Sequence, residues 1–197
     1  MIEGLKPFYN NSLRPAVRLF AALRISPDQV TVAGTALFAA AGWFTLRAQW
    51  HVALGLVVCG ALLDGLDGLL ARETGRMSTF GAVLDSACDR LSEVFWFAGL
   101  IGYYLTEHSV THPLLSAGIT FAASGASLMI SYIKARCEGA GVDCRVGILQ
   151  RPERLIVICF CLLLGEKVMF GGMIVLAALG WFTFAQRMVH AYRVSKK

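Results

Sequence analysis

A chain of 197 residues that is 56% hydrophobic and only 16% charged is too apolar for an ordinary soluble domain. Its net charge of +5 comes without a basic run interleaved with aromatics, which excludes nucleic acid as a partner. The pattern predicts an all-α, polytopic membrane protein of one domain over residues 1–197, with an N-terminal interfacial helix over 1–25 and a six-helix transmembrane bundle over 26–197.

The opening residues, MIEGLKPFYNNSLRPAVRLFAALRIS, lack the basic start, apolar run and small-residue cleavage site of a secretory signal. Arg14, Arg18 and Arg24 interleave there with Leu13, Val17, Leu19, Phe20 and Leu23. Such a helix suits an anionic bilayer surface. Apolar blocks follow near 29–46, 52–71, 82–106, 113–134, 155–170 and 171–186. The last two are separated only by Phe170-Gly171-Gly172, which reads as a tight helical hairpin.

Lysine and arginine placement sets the expected orientation. With the amino terminus inside, nearly every cation falls on the inner side, and the outer side keeps only Arg47 and Lys167. Six spans then place both termini, and the segments between the second and third and between the fourth and fifth spans, in the cytoplasm of a cell (inner) membrane. The six cysteines contain no CxxC pair. Cys59, Cys88, Cys159 and Cys161 lie in apolar blocks, and Cys137 and Cys144 lie on the reducing side, so all read as packing residues or free thiols. His51, His108, His112 and His190 share no ligand spacing.

The stretch LLDGLDGLLARETGRMSTFGAVLDSACDR is where chemistry concentrates. It places Asp64, Asp67, Asp85 and Asp89 inside apolar runs. An aspartate facing lipid at mid-bilayer costs about 2.5–3.5 kcal/mol on insertion scales, so four must share a polar or cation-filled space. Helical periodicity puts Asp64, Asp67, Gly68 and Ala71 on one stripe, and Gly81, Asp85 and Asp89 on another. A short turn joins the two helices, so the stripes can face each other. Four carboxylates in one space repel unless a cation intervenes. Oxygen-only ligands favour Mg²⁺, Mn²⁺ or Ca²⁺, and four aspartates can hold two ions about 4 Å apart, as in phosphoryl chemistry. An ion-coupled transporter also uses paired carboxylates. It gives no reason for the glycine spacing or for the arginine at the helix end.

The spacing Asp64-x2-Asp67-Gly68-x2-Ala71-Arg72-x8-Gly81-x3-Asp85-x3-Asp89 resembles, without departure, the signature of the CDP-alcohol phosphotransferase family. That resemblance implies six transmembrane helices, an interfacial helix and a membrane enzyme using a CDP-linked lipid, usually CDP-diacylglycerol. An acceptor hydroxyl would attack the lipid-side phosphorus and CMP would leave. By resemblance and by chemistry, Asp64, Asp67 and Asp85 would hold one Mg²⁺, and Asp64, Asp85 and Asp89 a second, with Mn²⁺ as an alternative. Asp89 would be the general base. Gly68 would let the nucleotide approach, Arg72 would meet the diphosphate, and Asp28, Gln29, Val30, Thr31 and Ser78 would meet the CDP-lipid. Ser26-Pro27-Asp28 also reads as an ordinary helix start.

The segment SYIKARCEGAGVDCRVGILQRPERLIV carries Lys134, Arg136, Arg145, Arg151 and Arg154, and Arg187 closes the last block. This is more positive charge than an uncharged alcohol needs, and a phosphate on the acceptor accounts for it. Anchoring at the inner surface explains part of it, with Arg136 and Arg145 as the candidates. Glu153 can pair with one of the arginines. The pattern further resembles the branch that makes phosphatidylinositol phosphate from CDP-diacylglycerol and inositol 1-phosphate, and its archaeal counterpart. Lys134, Arg154, Arg187 and Arg151 are then the acceptor-phosphate residues. Glycerol 3-phosphate is the alternative acceptor. A homodimer is expected, partly by resemblance and partly because FWFAGLIGYY and AASGASLM mix aromatics with small residues.

Overall fold

The computed structural model describes residues 6–144 and 146–195, with the backbone alone for residues 6–12. These residues form seven α-helices and no strand: α1 (Lys6–Ala22), α2 (Pro27–Leu46), α3 (Trp50–Glu73), α4 (Thr79–Thr106), α5 (Pro113–Gly139), α6 (Arg151–Leu164) and α7 (Glu166–Val194). Helix starts follow local chemistry. Ser26 caps α2 through a reciprocal box with Gln29: the Gln29 amide donates to Ser26 Oγ at 3.2 Å, and Ser26 N–H donates to Gln29 Oε1 at 2.8 Å. Ser78 caps α4 by accepting from the Gly81 amide at 2.9 Å.

Four helices, α2, α3, α5 and α7, are long and apolar enough to cross a bilayer. Two others fall short of that measure for different reasons. α4 has 28 residues but carries Asp85, Asp89, Arg90 and Glu93. α6 has 14 residues, which span about 21 Å against a hydrocarbon core of about 30 Å. The chain is an integral membrane protein by these helices. Large apolar side chains such as Leu114 and Phe121 point outward, 79% and 72% exposed, as a lipid-facing surface allows.

The break between the last two helices falls at Gly165, not at Phe170-Gly171-Gly172, which lies inside α7. A pair of glycines can stay helical where neighbouring helices hold the backbone, so local composition misplaced the turn.

α2 is the hub of the first half. It packs along both α3 and α4, and those two helices pack along α2 rather than along each other. Glycine makes the α2–α4 crossing possible: a Cβ on Gly99 would collide with the Gly42 carbonyl. In lipid, where hydrophobic drive between helices is weak, such close backbone approach supplies the packing. α5 packs on α4 and α7, and α6 on α3 and α7. The core between them is filled by Trp96, Phe97, Leu100, Tyr103, Met169 and Met173.

The segment between α5 and α6 is pinned to α7. The Leu149 amide donates to Thr183 Oγ1 at 3.1 Å, and Arg187 Nε donates to the Val146 carbonyl at 2.9 Å. Gly147 sits between them at φ +121°, where a side chain would strain the backbone and strike Thr183. This tether fixes where α6 begins, and with it Arg151 and Arg154.

Candidate active site

α3 ends and α4 begins at the same end of the bundle as the start of α2. Because α2 holds the two helices apart, their acidic stripes meet across a gap instead of packing closed. Carboxylate oxygens of Asp64, Asp85 and Asp89 come within 4.8 Å of one another, all three half-buried. This is an oxygen-only donor set of three carboxylates. It fits a hard divalent cation better than a thiolate- or imidazole-preferring one.

Asp67 stands apart from that trio. It is buried, 6% exposed, and its Oδ2 accepts a hydrogen bond from Thr31 Oγ1 at 2.5 Å. One turn of helix separates it from Asp64, enough to aim it toward the start of α2.

Two cavities reach this acidic centre, one walled by Asp67 and Asp85 and the other by Asp89. The first, about 210 Å³, is lined by Asp28, Thr31, Asp67, Gly68, Arg72, Ser78 and Asp85, together with Pro27, Arg76 and Gly81. It gathers five of the residues predicted to meet the CDP-lipid. The other two lie elsewhere. Gln29 is committed to the capping box, and Val30 is 2% exposed in the apolar cluster with Val17 and Leu66. Ser78 serves both as cap of α4 and as wall of the cavity.

The second cavity, about 190 Å³, is lined by Asp89, Arg90, Glu93, Ser131, Lys134, Gln150, Arg151, Arg154 and Arg187. All four predicted acceptor-phosphate residues are here, brought from the ends of α5, α6 and α7. Their tethers differ. Arg187 is buried and donates from Nη1 to the Ile130 carbonyl at 2.6 Å as well as to Val146. Arg154 is buried and paired with Glu93 at 2.8 Å. Arg151 reaches the acidic centre, donating from Nη1 to Asp64 Oδ2 at 2.7 Å, with Nη2 2.8 Å from Asp89 Oδ1. The second approach is off the hydrogen-bond direction, so the buried Asp89 Oδ1 has no hydrogen-bond partner among the described residues. Lys134 has the loosest hold, 3.8 Å from Glu138 one turn on and half-exposed.

Glu93 is the residue the sequence reading missed. It lies four positions after Asp89, on the same face of α4. One oxygen pairs with Arg154, and the other accepts from Ser127 Oγ. The signal was present, a further acid at helical spacing beyond the motif. The expected partner Glu153 instead has a buried Oε2 with no hydrogen-bond partner among the described residues. Arg145 lies outside the described residues.

The family model for CDP-alcohol phosphatidyltransferases matches residues 24–188. This chain belongs to that family. Its members are enzymes, and both cavities and the acidic centre lie within the matched residues. Among relatives, an archaetidylinositol phosphate synthase of Methanothermobacter thermautotrophicus is 35% identical over 93% of this chain and 94% of its own. A phosphatidylinositol phosphate synthase of Mycolicibacterium smegmatis is 39% identical over 92% of this chain and 84% of its own. The crystal structure of Mycobacterium tuberculosis phosphatidylinositol phosphate synthase with CDP-DAG bound superposes with a TM-score of 0.81, at 32% identity, over 90% of this chain and 92% of that one. The same enzyme in complex with manganese and citrate gives a TM-score of 0.82 over 90% of this chain and 88% of that one.

Proposed function

We propose that this phosphatidyltransferase carries the phosphatidyl group of CDP-diacylglycerol to the hydroxyl of inositol 1-phosphate, giving phosphatidylinositol phosphate and CMP. One observation carries the reading. Asp85 of the acidic centre lines a cavity with Asp28, Thr31, Gly68, Arg72 and Ser78, and Asp89 of the same centre lines a second cavity walled by Lys134, Arg151, Arg154 and Arg187. An uncharged acceptor gives no use for four cations around 190 Å³. A phosphomonoester, with nearly two negative charges at neutral pH, does. The names of the relatives point the same way.

In this reading Asp64, Asp67, Asp85 and Asp89 hold two Mg²⁺ ions, with Mn²⁺ as a substitute. When bound, the ions neutralise the diphosphate and the charge that develops on departing CMP. Asp28, Thr31, Gly68, Arg72 and Ser78 seat the CDP-lipid. Lys134, Arg151, Arg154 and Arg187 orient the acceptor by its phosphate. Asp89 lines the acceptor cavity, and its buried Oδ1 has no hydrogen-bond donor. It takes the proton of the attacking hydroxyl as oxygen bonds to the lipid-side phosphorus and the bond to CMP breaks.

The chain acts as a single membrane domain over residues 1–197. α4 and α6 complete a set of six spans with α2, α3, α5 and α7. α4 keeps its charges inside the bundle, and the chain leading into α6 makes up its short length. α1 lies on the inner surface of the cell membrane: Val17 is buried inward while Leu19, and Leu23 just past the helix end, 57% and 62% exposed, face out beside Arg14 and Arg18. Both termini and the active site face the cytoplasm, and two copies form a homodimer.

The test is release of radiolabelled CMP from CDP-diacylglycerol by purified protein. Release should require Mg²⁺ and inositol 1-phosphate, with glycerol 3-phosphate and free inositol much poorer. Release with glycerol 3-phosphate at equal or greater rate would give the acceptor cavity to that alcohol. Release that needs neither phosphate nor added metal would sink the reading.

A further inference from the structure

Arg151 belongs to two places at once. Its guanidinium lies in the acceptor cavity. It also spans two of the three clustered carboxylates, 2.7 Å from Asp64 Oδ2 and 2.8 Å from Asp89 Oδ1. The other cations of that cavity behave differently. Arg187 is held by two backbone carbonyls and Arg154 by Glu93, and neither touches the acidic centre. Among the described residues, Lys134 leans on Glu138. Arg151 is thus the residue whose charge is shared between the acidic centre and the acceptor cavity.

We propose that Arg151 couples cation loading at Asp64 and Asp89 to acceptor binding, by exchanging its carboxylate partners for the acceptor's phosphate. This rests on the reading above, that the carboxylates hold divalent cations and the cavity takes a phosphorylated alcohol.

The physical basis is competition for the same charge. A guanidinium between Asp64 and Asp89 offsets their repulsion, hydrogen-bonds to an Asp64 oxygen that a divalent cation also seeks, and competes with that cation for the charge of both carboxylates. A dication at that centre repels Arg151 and withdraws its partners. Released, Arg151 is a planar, always-charged fork already in the wall of the cavity, and it matches phosphate oxygens. Asp64 and Asp89 are then free to serve their own roles. Both equilibria share one residue, so the coupling is reciprocal: cation favours acceptor, and acceptor favours cation, by the same factor. Off-path chemistry is limited as well. Without acceptor phosphate, Arg151 tends to return to Asp89 and oppose its action as a base.

The experiment is Mn²⁺ binding to purified, detergent-solubilised protein, followed by the electron paramagnetic resonance of free Mn²⁺, with and without inositol 1-phosphate and with no CDP-lipid present. Arg151→Gln should bind Mn²⁺ about 10-fold more tightly than the native chain when acceptor is absent, because the competitor and its charge are gone. In the native chain inositol 1-phosphate should tighten Mn²⁺ by about 10-fold, and in Arg151→Gln by no more than about 2-fold. Arg151→Lys keeps the charge but loses the fork, and should fall between. Arg136→Gln, outside both cavities, serves as the control and should match the native chain. Weaker or unchanged Mn²⁺ binding in both Arg151 variants, or undiminished coupling, overturns the exchange while leaving the proposed reaction intact. A native chain that binds no Mn²⁺ overturns both.

Discussion

Arg154 Nη2 lies 2.8 Å from Glu93 Oε1, with the two side chains only 5% and 12% exposed. An enclosed pair of this kind contributes little net stability when intact, but losing one member strands the other charge at a cost of about 3–5 kcal/mol. Glu93→Ala is therefore expected to lower the midpoint of thermal unfolding in micelles more than Asp89→Asn does. It should also raise the acceptor KM, since Arg154 loses its aim. The double variant Glu93→Ala with Arg154→Ala should unfold at a higher temperature than the two single effects summed would give. Simple additivity would mean that the pair does not act as a unit.

Asp89→Asn should preserve the fold and lose about 100-fold or more in turnover, the usual scale of a general base. Asp67→Asn should behave differently. Asp67 is outside the close trio and fixed by Thr31, so its variant should raise the Mg²⁺ needed for half-maximal rate. Thr31→Val should reproduce a milder form of that shift, because it removes the hydrogen bond and leaves the carboxylate. A Thr31→Val enzyme with an unchanged Mg²⁺ curve would detach the hydroxyl from the site.

The site was easier to read than the bundle around it. The aspartates announced themselves because carboxylates in apolar helices are costly, and helical periodicity alone put them on two stripes. The grouping of Lys134, Arg151, Arg154 and Arg187 around one cavity was legible for the same reason, as charge in excess of anchoring. Two kinds of information were hidden. One was long-range: that α3 and α4 meet through α2 depends on Gly42 facing Gly99, and nothing local in either segment announces the other. The other was competition between roles. Gln29 offers a side chain suited to a ligand, yet the Ser26 amide takes it into a capping box, whereas Ser78 manages both roles. Glu93 was passed over because it lies just past a motif that seemed complete.

The α2–α4 crossing gives a packing test remote from the chemistry. Gly99→Ala should destabilise the protein by about 1–3 kcal/mol, the cost of overpacking, and lower activity by shifting α4 and its aspartates. Gly55→Ala on α3, where a Cβ meets nothing within 4 Å, should change neither. Unfolding midpoints and turnover of the two variants side by side decide it. A Gly99→Ala protein as stable as native would show that the backbones can separate without cost.

The two cavities should be separable by kinetics. Arg72 lines the one assigned to the CDP-lipid and Lys134 the one assigned to the acceptor. Lys134 also has the weakest tether of the acceptor cations, 3.8 Å from a half-exposed Glu138, so its removal tests binding with little cost to the fold. Arg154 and Arg187 are poorer probes, because their alanine variants break buried contacts along with any ligand contact. Lys134→Ala should raise the acceptor KM and leave that of the CDP-lipid nearly unchanged. Arg72→Ala should do the reverse. Loss of a charge-assisted contact costs about 1.5–3 kcal/mol, a change of roughly 10- to 150-fold in each case. Arg145→Ala, expected from the sequence to be an anchoring cation, should do much less to either. If Lys134→Ala and Arg72→Ala shifted the same constant, one continuous substrate site would replace the pair, and the four cations would have to be explained by the diphosphate of the lipid alone.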